Sequence, residues 1–172
     1  MGHILLALFF TFLLALLTIF FLYTVVAIFK GASYVATTHR TVARLLDVAE
    51  IKPGEKLLDL GSGDGRILFA AAKRGATCVG IEINPLLCHY SRLLAKLKGV
   101  KGVSIEEKDF WLYDLSDTDI VTVYLVPFRL NQLKAKVLAE MKSGSRVVTA
   151  VYHFEDWEPE RRDGNVALYR VP

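Results

Sequence analysis

Residues 56–72 read KLLDLGSGDGRILFAAA, and this stretch decides the fold. Leu57 and Leu58 belong to an apolar strand that runs into the carboxylate of Asp59. Gly61-Ser62-Gly63-Asp64-Gly65 follows, with glycine at every second position. A chain that turns sharply and admits a ligand to its bare backbone needs residues without a Cβ. Ile67, Leu68, Ala71 and Ala72 then recur at helical spacing. The order is strand, glycine turn, helix. The start of such a helix offers free N–H groups and partial positive charge.

The loop chemistry separates two small-molecule readings. A dinucleotide site carries G-x-G-x-x-G with no acid crowding the pyrophosphate. Here the spacing is G-x-G-x-G, and Asp64 lies inside the loop. A carboxylate there repels a diphosphate but suits a ligand with a positive end. S-adenosylmethionine has two such ends, a sulfonium and an ammonium. The second strand ends in CVGIEINP, which puts Glu82 where an acid accepts hydrogen bonds from both ribose hydroxyls. The loop therefore points to S-adenosylmethionine, with a nicotinamide cofactor well behind.

Working outward toward the amino terminus, Ile4 to Phe29 contains no charged residue. As a helix at about 1.5 Å per residue this run is roughly 39 Å long, more than the ~30 Å hydrocarbon thickness of a bilayer. It is too long for the core helix of a small domain. A cleaved signal peptide fits poorly, because Met1-Gly2-His3 carries no Lys or Arg and the run exceeds a normal h-region. Residues 1–30 read as a transmembrane anchor, with residues 4–29 in the bilayer, and residues 31–172 as one domain. The whole net charge of +3 falls after Phe29. Lys30, Arg40 and Arg44 follow the span, so the positive-inside bias places the domain on the cytoplasmic side, or the matrix side in a mitochondrion. Cys78 and Cys88 have no metal or redox spacing and read as small apolar fillers. No metal site is expected. A +3 charge spread over helices is no basic stripe, and no nucleic-acid partner is expected.

The remaining elements alternate. Thr37 or Thr38 caps a helix over roughly 39–50, with Val42, Leu45, Leu46 and Ala49 as its inward stripe. Asn84-Pro85 starts a helix carrying Leu86, Leu87, Tyr90, Leu93, Leu94 and Leu97, stopped by Gly99, with Arg92, Lys96 and Lys98 on its outer side. Residues 103–107 form a third strand ending in Asp109-Phe110-Trp111. There an acid and an aromatic suit an adenine: Asp109 accepts from its amine and Phe110 covers its face. DIVTVYL at 119–125 is a central parallel strand ending in Val126-Pro127-Phe128. A helix over 130–141, a strand over 145–152, a loop around 156–160 and a last antiparallel strand over 166–171 complete the chain. The fold class is α/β, a doubly wound, mostly parallel sheet preceded by one transmembrane helix.

DLGSGDGRI, EINP, Tyr90-Ser91-Arg92, Asp109-Phe110-Trp111 and DWEPE occur in that order, after an apolar N-terminal helix and Tyr34-Val35-x-Thr37. Together they resemble the membrane-anchored protein-lysine methyltransferases, whose mitochondrial members modify the ATP synthase c-subunit and the adenine nucleotide translocase. The resemblance covers nearly the whole chain. It implies a seven-strand, Rossmann-like methyltransferase fold, S-adenosylmethionine as donor and lysine as acceptor; the substrate is not carried over, since members differ in it. The short connector behind an uncharged span, not the resemblance, points to a lysine of a membrane or membrane-proximal protein. By motif position the resemblance places Asp59, Gly61, Gly63, Asp64, Glu82 and Asp109 around the donor; Ser62 in the loop, Ile83 and Asn84 after strand two, and Phe110 are read beside them as donor-binding candidates. The resemblance also makes Tyr34, Thr37 and Pro127 candidates on the acceptor side, and Tyr124 is read with them as a group that orients the amine. Ala36 stands where the family often has proline, and the terminal hairpin reads as incomplete, with one late strand.

Methyl transfer from a sulfonium is an in-line displacement, so placement supplies most of the gain. The acceptor lysine must be neutral, against a reference pKa of about 10.4. No general base is expected to be obligatory. DNA- and glutamine-modifying enzymes of this fold carry (Asp/Asn)-Pro-Pro-(Tyr/Phe) after strand four; Leu125-Val126-Pro127-Phe128 lacks the polar acceptor of that element. Two alternatives are a membrane-tethered lipid or quinone methyltransferase and a non-catalytic S-adenosylmethionine-binding scaffold.

Overall fold

A computed structural model describes residues 2–29, with backbone only from 23 onward, and residues 37–172. Tyr34 and most of the connector around it lie outside the described residues. The chain divides into two units, Met1–Ser33 and Tyr34–Pro172.

The first unit is helix α1, Gly2–Phe29. Its Gly2–Leu22 portion is long and apolar enough to cross a membrane. Its two threonine hydroxyls are satisfied within the helix: Thr11 and Thr18 donate to the carbonyls of Ala7 and Leu14, each at 2.8 Å. A helix that keeps its hydrogen bonds internal suits a medium without water.

The second unit contains α2 (His39–Ala49), β1 (Lys56–Leu60), α3 (Arg66–Ala72), β2 (Thr77–Glu82), α4 (Pro85–Leu97) and β3 (Val103–Glu107). A 3-10 turn follows at Phe110–Leu112, then β4 (Ile120–Val123), α5 (Pro127–Glu140), β5 (Arg146–Ala150), β6 (Arg161–Asp163) and β7 (Val166–Arg170). The sheet order is β3-β2-β1-β4-β5-β7-β6. Strands β1 to β5 are parallel, and β7 is antiparallel to both β5 and β6. The chain steps outward from β1 through β2 and β3, then returns to β4 on the other side of β1. Ligands bind at such a switch point, outside the carboxyl ends of the strands.

Both faces of the sheet are covered, which is why the central strands are apolar at nearly every position. Leu57, Cys78, Ile120 and Val148 pack under α2, α3 and α4. Leu58, Val79, Val121 and Val147 pack under α5, with Phe110, Leu115 and Phe154. Helix α2 is fixed at its end by a residue far along the chain. The buried Arg146 of β5 donates to the carbonyls of Ala49 and Glu50 at 2.9 and 2.8 Å, and pairs with Glu55. Orphan carbonyls at a helix end thereby find donors.

Two expectations are corrected. The terminal hairpin is complete, because Arg161–Asp163 pairs with β7. Three exposed polar residues gave this strand no apolar pattern to read. The leucine-rich stripe of α4 does not pack inward as a whole. Cys88 and Ser91 are its buried residues, while Leu86, Tyr90, Leu93 and Leu97 face outward. The helix lies beside edge strand β3, where the sheet offers little surface to cover them.

Candidate functional site

The site is built on the carboxyl ends of β1, β2 and β4. Register places Gly80 and Thr122 on either side of Asp59, in one row. The Thr122 hydroxyl donates to Asp59 Oδ1 at 2.7 Å. Gly80 is there for space. A Cβ on it would stand 2.5 Å from Leu68 Cδ1 and 2.6 Å from Ser62 Oγ. A glycine within a strand marks such a close approach. It lets α3 and the glycine loop settle onto β2.

The loop itself has a left-handed backbone at Gly61, Gly63 and Gly65, with φ of 79°, 54° and 79°. Nothing lies within 4 Å of where a Gly61 Cβ would be, so the loop presents bare backbone to open space there. Glu82, itself buried, ties this loop to the next one. Its Oε2 accepts from the Gly63 amide at 2.9 Å and its Oε1 from the Asn84 amide at 2.8 Å. Asn84 in turn caps α4, accepting from the amides of Leu86 and Leu87. Ile83 between them is half-buried. Glu82 is therefore a brace between the two loops.

Asp64 is also engaged. Arg66 clasps its carboxylate, with Nε at 2.9 and 3.1 Å from the two oxygens and a terminal nitrogen at 2.6 Å. The same guanidinium donates to the carbonyl of Thr37. That contact brings Thr37, an acceptor-side candidate, against the glycine loop. The Arg66 amide donates to Asp64 as well, so the first amide of α3 is engaged by the loop acid.

Asp59 has no basic partner among the described residues. Burial, opposed by the Thr122 hydrogen bond and aided by the charges of Glu82 and Asp64, pushes its carboxyl up to about 7. Three acids thus meet at the loop, and Arg66 pairs with Asp64. The surplus is negative, which suits a cationic ligand and opposes a diphosphate. The buried Ser62 hydroxyl has no hydrogen-bond partner among the described residues. Bare glycine backbone, a spare buried hydroxyl and negative charge fit S-adenosylmethionine, whose sulfonium supplies the activated methyl when it is bound.

At the end of β3, Asp109 accepts from the Trp111 amide at 3.0 Å and so caps the 3-10 turn. Phe110 is buried in the second core, its ring 4.8 Å from that of Trp111. Arg129 of α5 lies over the rings of both Trp111 and Phe128, at 5.8 and 5.3 Å.

At the ends of β4 and β5 stand Tyr124 and Tyr152, rings 6.0 Å apart and edge to face. Exposed Pro127 opens α5 beside them. Burial and then the neighbouring Tyr152 raise the Tyr124 phenol, so it stays protonated at neutral pH. Tyr152 is positioned by Val151, which has φ of 70°. The Tyr152 amide donates to the Ala150 carbonyl at 2.9 Å, closing a three-residue turn. A β-branched residue in this conformation is strained, and such strain collects at functional sites. The adjacent His153 has Nδ1 3.1 Å from the Thr149 hydroxyl. Burial and then the charge of Arg162 hold its imidazole below the usual histidine value.

Sequence reasoning missed Gly80, Thr122, Arg66 and Tyr152. The first two carried a signal, each the lone non-apolar residue inside its strand. Arg66 was legible as the cation two positions from Asp64. Tyr152 was not legible, because positive φ at a valine is imposed by its surroundings.

Residues 59–161, which hold the candidate site residues apart from Tyr34 and Thr37, match the ANTKMT methyltransferase domain. The chain belongs to this family. It is similar to the rat lysine N-methyltransferase of the ATP synthase c-subunit, 36% identical over 76% of this chain and 61% of that protein. A protein-lysine N-methyltransferase of Saccharolobus islandicus is 34% identical over 77% of this chain and 87% of its own length. Among solved structures, an RNA methyltransferase from Salinibacter ruber, determined with S-adenosyl-L-homocysteine, superimposes with a TM-score of 0.75. It is 35% identical and covers 80% of this chain and 92% of that one. The chain thus spans less than two thirds of the rat protein it matches, and most of the archaeal one. The fold is the seven-strand methyltransferase fold, and S-adenosylmethionine is the donor of its class.

Proposed function

We propose that this chain is an S-adenosylmethionine-dependent protein-lysine N-methyltransferase, held at a membrane by α1 and acting on a membrane or membrane-proximal protein. The observation that carries the reading is the bare Gly61 backbone together with the buried carboxylates of Asp59 and Glu82 at the ends of β1 and β2. Asp59, Gly61, Ser62, Gly63, Glu82, Ile83 and Asn84 hold the donor, with Asp109 and Phe110 at its adenine end. Asp64 shapes the loop through Arg66. Thr37, Tyr124 and Pro127, with Tyr34, form the acceptor side. There the amine forms the N–C bond as the C–S bond breaks, the bonding pair stays on sulfur, and the proton leaves to solvent. Positioning dominates such a step. The protonated Tyr124 phenol is an orienting group, not a base.

The names of the rat and archaeal relatives favour lysine. The Salinibacter protein, named as an RNA methyltransferase, makes RNA the reading to test against it. Tethering raises the effective concentration of membrane targets to the order of millimolar and does nothing for targets in bulk solution. The experiment is radiolabelled methyl transfer into native membranes by the full-length chain, followed by mass spectrometry of the labelled band. Methyl-lysine in a membrane protein is expected. Label in RNA or in a lipid fraction, or donor binding with no product, overturns the reading.

A further inference from the structure

Helix α4 is amphipathic in the wrong sense for a helix whose purpose is only to cover a sheet. Leu86, Tyr90, Leu93 and Leu97 are 71, 51, 53 and 72% exposed. Their spacing of four, three and four residues stacks them in one stripe about 16 Å long. Half-buried Leu87 and Leu94 extend the stripe toward the sheet on one side. On the other side lie His89, Arg92 and Lys96, and Lys98 and Lys101 follow the helix end. Arg92 is engaged with the Ile105 carbonyl, and Lys98 lies over the Phe69 ring. The 13 residues of α4 include no acid.

We infer that the outer face of α4 lies on the anionic surface of the membrane that holds α1. This rests on the reading of α1 as an anchor. An apolar stripe bordered by cations is the pattern of a helix lying in the headgroup plane. Each juxtamembrane cation near an anionic leaflet adds to the attraction. The occupant follows from charge and from chain length. Basic flanks on both copies would oppose pairing of this face with a second copy of the chain. The eight peptide steps from Phe29 to Thr37 span at most about 28 Å, so the domain stays at the surface in which α1 ends. Helix α4 starts at the carboxyl end of β2, so laying it flat on the bilayer turns the site to open along the membrane surface. An acceptor on a neighbouring membrane protein then approaches sideways, without leaving its own bilayer.

The test uses the full-length chain in vesicles of phosphatidylcholine with phosphatidylglycerol. Nitroxides are placed by Leu93→Cys and Leu97→Cys, with Lys73→Cys as the control; Cys78 and Cys88 are buried and do not compete. Labels at 93 and 97 should be several-fold more accessible to oxygen than to a nickel chelate, and the label at 73 the reverse. In phosphatidylcholine alone the preference should weaken. In the unsubstituted chain, a photoactivatable lipid should label the peptide spanning 85–98. Labels at 93 and 97 as open to nickel as that at 73 overturn the inference. Labels closed to both probes and broadened by a neighbouring spin also overturn it, because a second copy then covers the face. Retention in the pellet after alkaline carbonate reports the anchor separately. A chain that is washed off loses both readings; one that stays, with water-exposed labels, loses only the docking of α4.

Discussion

Asp59 is a buried acid that the fold holds away from its ordinary titration. Its carboxyl is pushed up to about 7, so between about 4 and 7 the folded chain keeps a proton that the unfolded chain has lost. Stability from this group is full below about 4 and is lost as pH rises to about 7. Asp59→Asn removes that dependence. The stability difference between variant and parent should change in the variant's favour by roughly 1 kcal/mol per pH unit across this window, as read by chemical denaturation. Parallel pH profiles for the two proteins would refute the assignment. A second residue-scale prediction concerns Glu82. If its carboxylate holds the ribose hydroxyls, Glu82→Ala weakens donor binding by about 2–4 kcal/mol. The two amides it accepts from are also orphaned, so the folded state should lose about 1–3 kcal/mol of stability, read by chemical denaturation. Calorimetry with unchanged donor affinity would remove Glu82 from the donor site and leave it as a brace.

At the scale of elements, the contact between β2 and the glycine loop is set by one missing side chain. Gly80→Ala puts a methyl where Leu68 and Ser62 already stand. Overpacking of this kind costs about 1–3 kcal/mol. Because Ser62 is in the loop, donor affinity should fall together with stability. A variant as stable as the parent, with the same donor affinity, would show that α3 can move aside and that the fit is not tight.

For the whole molecule, the candidate donor residues all lie from Asp59 onward, and the sheet with its two cores is complete within residues 37–172. Deleting residues 1–30 is expected to leave a soluble domain that binds S-adenosylmethionine, measured by calorimetry on the purified truncation. Aggregation that only detergent reverses would mean that α1 belongs to the core. On the same membranes and at equal concentration, the truncated form should label protein more slowly than the full chain. Equal rates would leave the anchor without a role in substrate choice.

What local chemistry dictates was legible in the sequence. The G-x-G-x-G loop between an apolar strand and a helix, Glu82 at the end of β2, and the Asn84-Pro85 cap each depend on a few adjacent residues. The alternation of strands and helices then left the doubly wound sheet as the natural packing. Other features depend on partners distant in sequence, and only the tertiary structure decided them. Arg146 caps α2 from β5, β6 exists because β7 lies beside it, and Val151 takes a positive φ next to the pair of Tyr152 and Tyr124. The stripe of α4 shows the division most clearly. Its periodicity specified an amphipathic helix, but a period says nothing about which face the sheet will cover. At the edge of the sheet, Cys88 and Ser91 were buried and the leucines were left outside.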